Sequence, residues 1–390
     1  MRERQFTDCV DIVGSSCKPF EGNRRYISTG AVATDHIDEN DVEIVDYKSR
    51  PSRADLIVEP GTLLFAKMQG TKKTLYVDKE KAENIYSTGF FALKAKSGVI
   101  STRCLYHMLG STSFLTQKDK NCSGATQKAI TNAGLKKIRV SIPDYQLQEA
   151  IADQLDKISS VIQMRRSELQ KLDDLVKARF VEMFGDPIHN EKGWMVSTLG
   201  EYMTLLTDFS ANGSYELLDS NVVMYDEPNY AIMVRTTDLE AGNLTNGVKY
   251  IDQSAYELLS KSKLYGGELI MNKIGSAGKI YMMPKIDRPA SLGRNAFMFR
   301  FDDRINMTYL YALLSSDYGT KEIQQYVRGA VTKTITKESA RSIRIVVPPL
   351  ELQKQYAAFV QQIDKSKFVV RQALDKAQLL FDSLMQQYFG

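Results

Sequence analysis

Residues 124–185 and 329–390 are two copies of one segment, and any fold for this chain must accommodate both. Gly124-Ala125-Thr126-Gln127-Lys128-Ala129-Ile130-Thr131 returns as Gly329-Ala330-Val331-Thr332-Lys333-Thr334-Ile335-Thr336. Ile138-Arg139-Val140-Ser141-Ile142-Pro143 returns as Ile343-Arg344-Ile345-Val346-Val347-Pro348, Leu147-Gln148 as Leu352-Gln353, and Phe184-Gly185 as Phe389-Gly390. The offset is 205 throughout (329 − 124, 390 − 185), so no insertion has been accepted there, whereas the stretches before each copy differ. Weaker landmarks pair those stretches too. Tyr26-Ile27-Ser28 matches Met233-Val234-Arg235, Leu63-Leu64-Phe65-Ala66-Lys67 matches Leu269-Ile270-Met271-Asn272-Lys273, and Leu105–Leu109 matches Leu310–Leu314. The whole chain therefore reads as a tandem duplication. Between the landmarks Phe6/Leu199 and Ser28/Arg235 the offset grows from 193 to 207, an insertion of about 14 residues in the second half.

Within each copy, apolar residues recur at steps of three, four or seven: Leu147, Ile151, Leu155, Ile158, Ile162, Leu169, Leu172, Val176 and Phe180, then Leu352, Tyr356, Val360, Ile363, Leu374, Phe381 and Leu384. That spacing predicts two long amphipathic helices. From Leu147 to Phe184 such a helix would extend roughly 57 Å at about 1.5 Å per residue. Each begins after a β-branched strand ending in proline, and the first stops at Gly185-Asp186-Pro187, a strong break. An apolar seam of this length is not stable on a lone rod, so the two helices are expected to pair as an antiparallel coiled coil relating the halves by a pseudo-twofold. The predicted class is α+β, with two similar mixed α/β domains at 1–143 and 187–348, a central helical spacer at 144–186 and a second spacer at 349–390.

Composition limits the function classes. With 43% hydrophobic and 25% charged residues the chain belongs with ordinary globular proteins. No apolar run approaches the ~20 residues of a membrane span, and Met1-Arg2-Glu3-Arg4 opens without an apolar signal segment, so a cytoplasmic protein with no membrane partner is expected. Four scattered cysteines and three separated histidines offer neither a zinc motif nor a disulfide framework, and no metal site is expected. A net charge of +4 is compatible with a polyanionic partner without requiring one. Gly275-Ser276-Ala277-Gly278-Lys279-Ile280 has too few residues between its glycines for a phosphate-binding Walker loop and no hydroxyl after the lysine. With no convergent acid, base, nucleophile or metal set, a catalyst is the least favoured class.

Several loops combine lysine, amide, hydroxyl and glycine, the groups that meet phosphates and base edges. The candidates for DNA contact are Thr29, Lys67, Gln69, Lys72, Lys73, Thr126, Gln127 and Lys128 in the first half. In the second they are Arg235, Thr236, Asn272, Lys273, Ser276, Lys279, Arg294, Asn295, Thr332 and Lys333. Any one such loop is unremarkable, since loops are polar wherever they occur. The recurrence of Lys67 as Lys273 and of Lys128 as Lys333 is what raises the expectation.

At this point the chain resembles the specificity subunits of type I restriction-modification systems over nearly its full length. The resemblance is carried by Gly-Ala-Thr-Gln-Lys and Gly-Ala-Val-Thr-Lys, by Ile142-Pro143 and Val347-Pro348 leading to Leu147-Gln148 and Leu352-Gln353, and by Phe184-Gly185-Asp186-Pro187 before Lys192-Gly193-Trp194. It implies that each variable domain is a target recognition domain reading half of a bipartite site in double-stranded DNA. Because the halves differ, that site should be asymmetric. It further implies that the helices set the gap and dock two modification subunits, with Leu155, Ile162, Leu169, Val360, Leu374 and Phe381 as contacts. This chain would hold no cofactor: S-adenosylmethionine would sit on the modification subunits and ATP on motor-nuclease restriction subunits. Two other readings fit the residues, a non-catalytic assembly scaffold and a stand-alone DNA-binding regulator. The scaffold would leave the paired lysine loops without a purpose. The regulator would be expected to carry a helix-turn-helix, which is not recognisable here.

Overall fold

The computed structural model describes residues 2–390, which form two compact units: residues up to Leu169 together with Val369–Gly390, and Gln170–Phe368. Both unit boundaries fall inside the two long helices, Tyr145–Phe184 and Leu350–Phe389, each of 40 residues. The helices expected as separate spacers at 144–186 and 349–390 are thus shared between the units, each unit taking half of either helix.

The first unit contains a four-stranded sheet in the order Val10–Val13, Phe90–Ala95, Thr62–Ala66, Thr74–Val77, all antiparallel. A five-stranded sheet lies beside it in sequence, with Arg24–Ile27 parallel to Ile85–Ser87 and antiparallel to Glu43–Val45. The second unit repeats the plan. Its antiparallel sheet runs Met203–Asp208, Ala296–Phe301, Leu269–Asn272, Ile280–Met282, and its second sheet again has a parallel pair, Ala231–Val234 with Ala290–Leu292. Short runs of Val, Ile, Phe and Leu make these strands because β-branched and aromatic side chains fit a pleated, half-buried surface. In both units the strand before the proline pairs with the start of the domain: Arg2–Gln5 with Arg139–Ile142, and Met195–Thr198 with Arg344–Val347.

Inside each unit the helix halves run antiparallel. In the first, Gln154 faces Tyr388 and Arg166 faces Gln378. Ile151, Leu155, Met385 and Phe389 are buried in its main core, each such side chain contributing about 1.5–3 kcal/mol on burial. In the second, Asp173 pairs with Lys367 at 2.5 Å and Arg179 lies 5.7 Å over the Phe359 ring. There Phe180, Phe184, Tyr309 and Tyr356 form one aromatic cluster, with ring centroids 4.7–5.8 Å apart. The expected antiparallel helix pairing is present.

The repeated Leu-Gln marks a clamp. Gln148 is fully buried; its Oε1 accepts from Ser101 N at 2.7 Å while its Nε2 donates to Val99 O and Pro143 O, both at 3.0 Å. Gln353 does the same, accepting from Asn306 N and donating to Pro348 O, both at 2.8 Å. Ser101 and Asn306 are themselves the N-caps of Thr102–Leu109 and Met307–Ser315. One amide side chain therefore ties strand end, long helix and short helix together in each unit.

Candidate nucleic-acid interface

In the first unit the loop after Thr62–Ala66 meets the Gly-Ala-Thr-Gln-Lys turn through backbone bonds. Gln69 N donates to Lys128 O at 2.9 Å, Ile130 N donates to Lys67 O at 2.9 Å, and Met68 bridges Ala129. The second unit repeats these bonds: Gly275 N donates to Lys333 O at 2.9 Å, Ile335 N donates to Lys273 O at 3.1 Å, and Ile274 bridges Thr334. The glycine opening each turn is required. Gly124 and Gly329 have φ of 134° and 105°, and a Cβ on either would collide with the carbonyl oxygen of Gln127 or Thr332.

This construction brings Gln69, Lys72, Thr126, Gln127 and Lys128 to one exposed rim, and Ser276, Lys279, Thr332 and Lys333 to another. A groove of about 410 Å³ gathers Ser276, Lys279 and Lys333. A second cleft of about 360 Å³ in the same unit is lined by Arg235, Thr236, Arg294 and Asn295 over the apolar side chains of Phe209, Val222, Met224 and Met233. Arg294 stacks over Phe209 and Tyr215 at 5.1 and 5.6 Å and pairs with Asp219 at 2.6 Å.

Several expectations are corrected by where the side chains go. Lys67 and Lys273 recur because they hold their own domains together. The Lys67 ammonium donates to Thr88 O at 2.8 Å and sits 4.5 Å over Phe91, and burial lowers its pKa. Lys273 Nζ pairs with Asp208 at 2.8 Å, with only 14% of its side chain exposed, and lies 5.9 Å over the equivalent Phe297. Asn272 is buried at 5% rather than set on the exposed rim. Arg235 turns back on Asp238 with two hydrogen bonds and on Gly247 O with a third, and Lys73 donates to Thr29 O at 2.8 Å. Among the proposed docking residues Leu155 and Ile162 are buried in the first unit at 0% and 6%, Phe381 packs against its core and Val360 against the core of the second unit. Leu169 and Leu374 are half-buried. The apolar residues that carry the helical period form the seam, and the seam is occupied by the other helix.

Residues that sequence reasoning missed do the positioning. Lys118 is fully buried and donates to Met68 O and Thr71 O at 3.0 and 2.7 Å, while the Asp119 carboxylate accepts from Gly70 N at 3.1 Å. Together they fix the loop that presents Gln69 and Lys72. In the second unit Asp208, 8% exposed in its side chain, accepts from Lys273 and Lys337 at 2.8 and 2.9 Å. Burial would raise the Asp208 pKa, but these two ammonium groups hold it below the ordinary 3.8. Nothing in the linear pattern distinguishes Lys118 or Asp208 from surface charges.

The model of the type I restriction modification DNA specificity domain matches this chain twice, over residues 12–173 and 191–376. The chain belongs to the type I restriction-modification DNA specificity family. The two matches fall one on each half of the duplication. The family's curated members include the MjaVIII specificity subunit of Methanocaldococcus jannaschii, 23% identical over 294 residues that cover 72% of this chain and 68% of the relative. The HindI specificity subunit of Haemophilus influenzae is 24% identical over 148 residues, 37% of this chain and 32% of that relative. The fold is shared with the type I S subunit of M. genitalium (TM-score 0.58, 15% identity, 100% of this chain and 96% of that one). It is shared too with a chain from a structure describing complex assembly and conformational transition of the type I R-M system (TM-score 0.56, 17% identity, 99% and 97%). Like its relatives this chain is a specificity subunit and not an enzyme. No helix among the described residues is long and apolar enough to cross a membrane, and none of their His, Cys, Asp or Glu clusters could hold a metal ion.

Proposed function

We propose that each unit reads one half of an asymmetric bipartite site in double-stranded DNA, and that the long helices dock two modification subunits and set the unread gap. The observation that carries this reading is the same pair of loops closed by the same backbone bonds in both units, around side chains that differ. A fixed frame presenting variable polar groups is what a reader of two different half-sites needs. The exposed groups Gln69, Lys72, Thr126, Gln127 and Lys128, with Ser276, Lys279, Asn295, Thr332 and Lys333 and the half-buried Arg294, are the DNA-facing residues we assign. Lys67, Lys73, Asn272 and Lys273 act behind them, holding the loops in place.

Docking falls to apolar residues off the helix seam. Met164, Val369, Leu379 and Leu380 in the first unit are 62%, 64%, 70% and 52% exposed, and Leu175, Val181 and Phe368 in the second are 47%, 56% and 61% exposed. Isolated exposed apolar side chains are ordinary, but this number along two helices fits burial against partner helices. S-adenosylmethionine and ATP are then supplied by the modification and motor-nuclease restriction subunits.

Mapping methylated adenines in a genome after co-expression with the adjacent modification subunit tests the reading. We expect one asymmetric bipartite motif with a constant gap, in which replacing residues 187–348 by another family member's domain changes one half only. A methylation pattern without a gap, or a swap that rewrites both halves, would refute it.

A further inference from the structure

The two units differ in what neutralises their loop cations. At matched positions, Lys67 and Lys73 of the first unit donate to the backbone oxygens of Thr88 and Thr29, whereas Lys273 and Lys279 of the second pair with the carboxylates of Asp208 and Glu240. The match is structural: Ala66 N donates to Lys73 O at 3.0 Å as Asn272 N donates to Lys279 O at 2.8 Å. The second unit continues the pattern with Lys337 on Asp208, Arg294 on Asp219 and Arg235 on Asp238. All four acceptor carboxylates come from residues 208–240, and two of them, Asp208 and Asp219, lie in the stretch between Leu199 and Arg235 that carries the insertion. A backbone carbonyl leaves the full positive charge in place; a carboxylate cancels it.

The sequence supplies an independent measure of the same asymmetry. Residues 1–143 hold 22 Lys and Arg against 16 Asp and Glu, a net +6, while residues 187–348 hold 18 against 18, a net of zero. Charge at this scale governs attraction to the phosphate backbone, which is long-ranged, insensitive to base sequence and weakened by salt. The neutral second unit must gain its affinity at short range, in the cleft whose apolar side chains Phe209, Val222 and Met224 lie beside Arg294.

We propose that the first unit supplies most of the salt-dependent grip on the DNA backbone, and that the second unit binds mainly through short-range base contacts. This rests on the DNA-reading assignment above. The test uses the full chain in complex with its modification subunits and a duplex of scrambled sequence, with affinity followed against salt concentration. With one phosphate held by each lysine, Lys72→Gln with Lys128→Gln should flatten the slope of log K against log salt by about 1.8. Lys279→Gln with Lys333→Gln should flatten it by about 0.9 or less, since only Lys333 is free of a carboxylate. Glu240→Gln, which releases Lys279, should steepen it. Equal flattening by the two pairs, no flattening by the first, or an unchanged slope in Glu240→Gln overturns the proposal. A wild-type complex that retains no duplex at any salt refutes the DNA-reading assignment itself, a separate result from any of these.

Discussion

Gln148 and Gln353 show how much one side chain can be asked to do. Each is fully buried and saturates backbone groups on both neighbouring segments. Truncation to alanine strands those groups without water, and each buried unsatisfied polar group costs about 1–3 kcal/mol. We expect Gln148→Ala to lower unfolding stability by about 2–4 kcal/mol, read from a denaturant melt, without altering which bases are recognised. His107 makes a second prediction at this scale. Its ring is buried, its Nε2 lies 2.6 Å from Asp156 Oδ1, and burial pulls its pKa below the ordinary 6.5 despite the opposing hydrogen bond. The folded chain therefore binds that proton less readily than the unfolded chain, so stability is full above pH 6.5 and declines as the pH falls beneath it. Thermal melts between about pH 7 and 5 should decline in the wild type and stay flatter in His107→Gln.

At the scale of elements, the long helices were legible in the sequence because their apolar spacing, their prolines and Gly185 all agree, and the structure returns helices of 40 residues each. Their outward partners were not legible. The residues with the strongest period, such as Leu155, are those the opposite helix covers, and the exposed Leu379 and Leu380 sit off that period. The loops divide in the same way. Gly124 and Gly329 announced a repeated turn, but the fate of Lys273 depends on Asp208, 65 positions away, and that of the 67–73 loop on Lys118, about fifty away. Contacts at such separation leave no local pattern. The antiparallel pairing also decides how a spacer can be lengthened. An insertion in one helix alone has no partner, whereas seven residues added to both, after Leu169 and after Phe368, keep the seam in register. That adds about 10 Å, or about three base pairs of DNA. Methylome mapping should then show an unchanged pair of half-site sequences with a wider gap; an unchanged gap would count against the spacer role.

For the whole molecule, the duplication itself was plain from the constant offset of 205, yet the division into units was not. Domain boundaries were expected at the ends of the helices, and the compact units instead cut through them. The reason is that each helix half buries its seam on the antiparallel half beside it, so Met385 and Phe389 belong to the same core as Phe6 and Leu105. Removing residues 369–390 should therefore unfold or aggregate residues 2–169, although none of them has been touched. Hydrogen exchange measured on the truncated chain would report this as lost protection across Leu63–Phe65 and Phe91–Leu93. Protection equal to that of the full chain would show that the first unit stands without them.

The same interleaving imposes an order on synthesis. Residues 170–368 are contiguous, so the second unit has all its parts as soon as Phe368 leaves the ribosome. The first unit, begun earlier, must wait for residues 369–390, whose Met385 and Phe389 share a core with Ile151 and Leu155. Completion of the first unit after the second runs against the usual N-terminal-first order. A ribosome that stops early thus releases a chain whose first unit is unfinished, and such fragments are natural clients for chaperones and proteases rather than half-functional DNA readers.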